Sequence, residues 1–211
     1  EGLYDVTLNN GLSVTYNDQL QVVNGTVYVP TNSDWFNKTG TVDTSEIGSL
    51  KVGTKDVTGT AQIYIIPSGL DFEFRFKNKL SPLESSPVHA YTTNFIDFLK
   101  TSDNSVLYGY RMALDNISNS YYRHYAYYAG SYRAPYSEKL YPLQFNQEVT
   151  FRRIGTLMTF SVNGILIYTY PEASVDEMKI RINIFETDIY DIKYIDLSDT
   201  SGGYTDYSKL I

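Results

Sequence analysis

Ten of the chain's 21 tyrosines fall between residues 108 and 141, at Tyr108, Tyr110, Tyr121, Tyr122, Tyr125, Tyr127, Tyr128, Tyr132, Tyr136 and Tyr141. The centre of this stretch reads NSYYRHYAYYAGSYRAPY, with Arg123, His124 and Arg133 set among the rings. Read as a strand, Tyr121, Arg123, Tyr125 and Tyr127 share one face, while Tyr122, His124 and Tyr128 take the other. Rings on both faces are more than one core absorbs. A tyrosine offers a flat apolar face with one hydroxyl, and arginine and histidine beside it supply hydrogen bonds. That is the mixture a sugar ring needs, with its apolar C–H face and its rim of hydroxyls. Trp35, the only tryptophan, lies in the loop-like TNSDWFNKTG and offers a second platform. The candidate carbohydrate-binding set is therefore Trp35, Tyr121, Tyr122, Arg123, His124, Tyr125, Tyr127, Tyr128 and Tyr132. The same rings also read as cross-strand ladders or as a protein-contact surface, and both readings stand.

Other chemistries have thinner support. Cysteine is absent, which removes disulfides, thiolate metal sites and a cysteine nucleophile. The two histidines, His89 and His124, do not assemble a metal site alone, and no Gly-x-Ser-x-Gly elbow accompanies them. No glycine loop of the phosphate-cradling kind is present. Asp115, Asn116 and Asn119 offer oxygen atoms suited to calcium, so no cofactor is expected beyond an allowance for a structural calcium ion.

These residues must be carried by strands. Glu148 to Tyr170, EVTFRRIGTLMTFSVNGILIYTY, alternates apolar and polar positions. Its Ile154-Gly155 and Asn163-Gly164 pairs divide it into three antiparallel strands, since both Asn and Gly accept positive φ. Met178 to Leu197 alternates Ile180, Ile182 and Ile184 against Lys179, Arg181 and Asn183, breaks at 186–188, and resumes. Ala61 to Ile66 and Leu70 to Lys77 give two more strands, the second with Phe72, Phe74 and Phe76 on one face. Residues 3–8, 12–16, 20–23 and 26–29 read as short strands. Asn94 to Leu99 and Ser174 to Glu177 are read as single helical turns. One all-β domain over residues 1–197 is expected, followed by a loosely structured tail over 198–211.

The formal charge is −7, from 24 acidic and 17 basic residues, which is not the footprint of a nucleic-acid binder. No apolar run is long enough for a transmembrane helix, so neither nucleic acid nor membrane insertion is expected.

Taken in order, LDFEFRFKNK (70–79), VTFRRIGTLMTFSVNGILIY (149–168) and KIRINIFETDIYDIKYIDL (179–197) resemble the concanavalin A-like lectin and laminin-G group of jelly rolls. The resemblance implies a two-sheet antiparallel sandwich. Some glycosidases of that fold carry Glu-x-Asp-x-x-Glu on one strand, and Glu186, Asp188 and Asp191 are similar in spacing. Retaining hydrolysis needs two carboxyl groups about 5 Å apart. The acidic, cysteine-free, Tyr- and Asn-rich composition is also similar in style to bacteriophage tail, baseplate and head-fibre domains. The expected function is non-catalytic binding of a cell-surface polysaccharide by a virion adsorption or accessory protein. The expected location is extracellular or on the virion surface, beside other virion or cell-surface proteins. The alternatives are a structural or decoration domain and, third, a glycan-active hydrolase.

Overall fold

The computed structural model describes residues 3–7, 13–17, 21–23, 25–51, 58–80, 94–114, 121–133, 141–142, 147–171, 174–185, 187–198 and 204–206. In chain order the described strands are β1 (Leu3–Thr7), β2 (Ser13–Asn17), β3 (Gln21–Val23), β4 (Thr26–Tyr28), β5 (Phe36–Gly40) and β6 (Thr58–Ile66). Next come β7 (Phe72–Leu80), β8 (Asn94–Lys100), β9 (Val106–Leu114), β10 (Tyr121–Tyr128), β11 (Ser131–Arg133) and β12 (Tyr141–Pro142). The last six are β13 (Gln147–Ile154), β14 (Leu157–Val162), β15 (Ile165–Tyr170), β16 (Met178–Phe185), β17 (Thr187–Asp196) and β18 (Tyr204–Asp206).

Three antiparallel sheets result. The larger principal sheet has the order β11-β10-β9-β8-β16-β6-β5, with β12 also paired to β10. The second runs β15-β14-β13-β7-β17-β4, and a small sheet runs β1-β2-β3-β18. Strand β18, inside the segment expected to be a loose tail, pairs residues 204–206 with Gln21–Val23.

Alternation explains how the two principal sheets pack. From the larger sheet, Ile96, Phe98, Tyr108, Tyr110, Met112, Ile180, Ile182 and Ile184 point inward and are buried; from the second, Phe72, Phe74, Phe76, Val149, Phe151, Met158, Phe160 and Val162 do the same. The rings meet across the gap, Phe98 on Phe151 at 5.0 Å between centroids and Tyr110 on Phe160 at 5.8 Å. Such edge-on and tilted contacts add roughly 0.5–1.5 kcal/mol per pair beyond the area buried.

The 147–170 meander forms as its spacing predicts. Asn163 and Gly164 take φ of 49° and 76°, the left-handed conformation that a two-residue hairpin turn requires. Both helical turns expected from the sequence are absent. Asn94–Lys100 is a strand because Ile96 and Phe98 alternate into the core with Asp97 outward, and 174–177 is irregular chain. The loop TNSDWFNKTG also behaves differently. Asp34 accepts hydrogen bonds from the Thr31 backbone N–H and hydroxyl, both at 2.7 Å, closing a 3-10 turn over Asn32–Asp34. The chain leaving that turn carries Trp35 into the core.

Arg153 is the largest fully buried side chain. Its Nε donates to Leu70 O and its Nη1 to Ser174 O, both at 2.8 Å, and its guanidinium lies 5.2 Å from the Phe72 ring centroid. Two loops are thereby fastened to β13.

Candidate functional site

Side chains that alternate away from the core form the outer face of the larger sheet, and cross-strand register fixes their order. Tyr127 pairs with Gly109, Gly109 with Asp97, Asp97 with Arg181, and Arg181 with Gln62. One lateral row thus crosses β10, β9, β8, β16 and β6. Neighbouring strands stand ~4.8 Å apart, so the row spans roughly 19 Å. In the next row Tyr125 pairs with Arg111, Arg111 with Phe95, Phe95 with Asn183, and Asn183 with Thr60.

Arg111 joins the two rows. Its side chain lies along β9 over Gly109, with Nη2 2.6 Å from Asp97 Oδ1 and Nη1 donating to Tyr110 O at 2.8 Å. Its guanidinium carbon sits 4.7 Å from the Tyr127 ring centroid, a cation–π contact that fixes the ring. Glycine at 109 makes room for this contact, since a methyl there would meet Tyr127 Cβ at 3.0 Å and Arg111 Nη1 and Asp97 Oδ1 at 3.1 Å and push each back by a few tenths of an ångström. From the other side Arg181 donates through Nη2 at 2.6 Å and Nε at 3.2 Å to Asp97 Oδ2. The Asp97 carboxylate is therefore clasped by two guanidinium groups, one from each neighbouring strand. At the far end Asn37 Nδ2 donates to Gln62 Oε1 at 3.0 Å. The face offers a braced aromatic ring, a charged centre and amides, in that order.

The sequence-derived candidates divide between this face and the interior. Tyr125 and Tyr127 are half-buried on the outer face. Tyr121, Tyr122 and Arg123 are on β10 and Tyr132 on β11, and their side chains lie outside the described residues. Tyr128 turns to the core side and stacks on Tyr108, centroids 6.4 Å apart. Trp35 and His124 are corrected to interior positions, at 5% and 2% exposure. His124 Nε2 donates to Gln147 Oε1 at 2.9 Å, which leaves Nδ1 to accept from the Tyr110 hydroxyl at 2.7 Å. Burial lowers its pKa to about 4, only partly opposed by the Gln147 bond, so the imidazole is neutral near pH 7. Both residues are core pieces, the histidine as the centre of a polar relay between β9, β10 and β13.

Of the carboxylate trio, Glu186 lies outside the described residues and Asp188 is half-buried on β17. Asp191 sits in a bulge at φ 52°, with Lys77 and Lys193 each 2.8 Å away. Hydrogen bonds from Lys193 and Lys77 hold its pKa below the usual carboxylate value. His89, Asp115, Asn116 and Asn119 lie outside the described residues, among which no cluster of three metal-ligating side chains occurs. Asp97, Arg111, Arg181 and Gln62 were not singled out in the sequence. Two signals mark them: a lone Asp inside the apolar run FIDFL, and a glycine inside the strand VLYGYRMAL, where close approach is the usual reason.

No protein-family model matches the chain, and no curated protein matches it in sequence. Solved structures do match in shape. The metal-free carbohydrate recognition domain of Emp46p aligns at a TM-score of 0.56 and 10% identity, over 78% of this chain and 88% of that one. A native glycosidic hydrolase aligns at 0.51 and 16% identity, over 84% and 99%. The Crh5 transglycosylase in complex with NAG aligns at 0.53 and 9% identity, over 84% and 86%. The fold is a concanavalin A-like jelly roll. At these identities the likeness is one of fold. It also corrects the expectation that the chain is not an enzyme. A hydrolase and a transglycosylase share this architecture with a carbohydrate recognition domain, so the fold gives no ground for excluding catalysis.

Proposed function

We propose that the chain binds a cell-surface polysaccharide across the outer face of its larger sheet, with the Tyr127 ring as the platform on which one sugar lies. The observation that carries this reading is the ring's fixation, by the Arg111 guanidinium 4.7 Å from its centroid, within a row of hydrogen-bonding side chains. A ring already held loses little freedom when a sugar stacks on it. Tyr125 flanks it, and Tyr121 and Arg123 stand at alternate positions of the same strand. The finer setting is a virion adsorption or accessory protein, exposed at the particle or cell surface, that grips host polysaccharide. The acidic, cysteine-free, tyrosine-rich composition supports that setting. Weak single contacts would be multiplied by several copies.

The test is a glycan array probed with the protein displayed multivalently, followed by titration of the strongest ligand against wild type and Tyr127→Ala. Loss of one stacking ring weakens binding by about fivefold to tenfold. Reducing ends released during the titration report cleavage in the same tubes. Binding of no glycan at all, or undiminished binding by Tyr127→Ala, overturns the assignment.

A second reading, a decoration domain making protein contacts, is favoured by one surface. Val27 at 52% and Ile47 at 67% exposure, with Tyr28 and Val29, leave the β4 edge of the second sheet apolar.

A further inference from the structure

The two outer faces differ in charge. On the second sheet the described outward charges cancel, Glu73, Glu148, Asp188 and Asp191 against Arg75, Lys77, Arg152 and Lys193. Among the described residues of the larger sheet's outer face, Asp97 is set against Arg111, Lys179 and Arg181, one negative and three positive, a net of +2. The whole chain carries −7, so this face opposes the sign of its own protein. Folding needs only part of that charge. Asp97 is balanced by the buried Arg111 alone, and Arg181 and Lys179 are the surplus.

Arg181 is also placed to take a ligand. Its Nε and Nη2 hold Asp97, whereas its Nη1 has no hydrogen-bond partner among the described residues, and 37% of the side chain is exposed. A guanidinium so anchored presents its remaining N–H groups in a fixed direction, which suits a carboxylate or sulfate oxygen. Lys179 stands two residues along β16 on the same face, opposite Ile65.

We infer that the glycan is anionic, an oligosaccharide carrying carboxylate or sulfate groups, with one ring on Tyr127 and an acidic group against Arg181. This rests on the binding surface proposed above. Three strand spacings, roughly 14 Å, separate the two contacts, so the ligand must extend across the strands. The surplus cations also raise the local concentration of such a polyanion against the repulsion of the rest of the protein.

The experiment titrates the full chain with three oligosaccharides of equal length: a polyuronate, a sulfated neutral glycan and the same glycan unsulfated. Wild type, Arg181→Gln and Lys179→Gln are compared at two salt concentrations, each first shown to be fully folded at the titration temperature. At least one anionic ligand binds tenfold or more tighter than the neutral one. Arg181→Gln removes about tenfold of that advantage, and Lys179→Gln, at a side chain with no partner among the described residues, flattens the salt dependence. The polyuronate and sulfate arms tell which anion is preferred. Equal binding of neutral and anionic ligands with Tyr127→Ala still defective overturns the inference alone. Unaltered binding of the preferred anion by both Arg181→Gln and Lys179→Gln also overturns it. Binding of none of the three in multivalent form overturns the glycan surface itself, and the inference with it.

Discussion

Replacing Asp97 with alanine removes the carboxylate that ties β9 to β16 through β8. The two partners it abandons are unequal. The Asp97 and Arg111 side chains are 4% and 10% exposed, whereas that of Arg181 is 37% exposed. Stranding a buried guanidinium costs about 3–5 kcal/mol. Arg111 keeps its bonds to Tyr110 O at 2.8 Å and Ile96 O at 3.3 Å, which places the loss at the lower end, about 3 kcal/mol. The exposed Arg181 contact contributes at most ~1 kcal/mol. For a domain of this size, 3 kcal/mol corresponds to a fall in Tm of about 6–12 °C. The assay is urea unfolding of Asp97→Ala, Arg111→Ala, Arg181→Ala and the two double variants containing Asp97→Ala. The coupling energy between Asp97 and Arg111 should exceed that between Asp97 and Arg181 by ~1 kcal/mol or more. Equal couplings, or an Arg181→Ala loss as large as that of Asp97→Ala, refute the partition by burial.

Two further stability outcomes follow from the interior and the turns. The folded-state pKa of His124, about 4, lies below its unfolded value of 6.5, so the unfolded chain takes up the proton first as pH falls. Its contribution is intact above pH 6.5 and is lost progressively toward pH 4, by about 3 kcal/mol in all. His124→Gln should therefore show a shallower loss of stability between pH 7 and pH 4.5 in urea unfolding; parallel losses in variant and wild type contradict the assignment. Gly164→Ala, at φ 76°, should lower stability by about 1–2 kcal/mol in thermal unfolding, and an unchanged midpoint refutes the strain.

Periodicity made most of the fold readable. The meander over 147–170 and the isoleucine alternation of β16 state which side chains enter the core, and the structure agrees. Asn94–Leu99 misled because six residues of mixed Asn, Phe, Ile, Asp and Leu fit one helical turn as well as a strand, and only the neighbours β9 and β16 decide. Trp35 misled because a polar loop gives no hint that a hydrogen-bonded turn will aim one ring inward. The site was legible in part. Tyr125 and Tyr127 follow from alternation along β10, while Tyr128 and His124 are claimed by the core. The Asp97 clasp could not be read, since residues 97, 111 and 181 meet only through pairing across three strands.

The strand order also bears on how the chain can be made. β16 is inserted between β8 and β6, and β17 between β7 and the edge strand β4, so strands late in the sequence complete both principal sheets. A nascent chain that has not yet reached residue 178 holds β6 and β8 with facing edges bare. The larger sheet cannot close until β16 is synthesised, and the second is completed only when β17 follows it. Premature termination there would yield a sticky intermediate rather than a shorter working domain, because open apolar edges pair with other chains. Chaperones that cover open strand edges, rather than any ligand of the mature surface, would be the first partners this polypeptide meets.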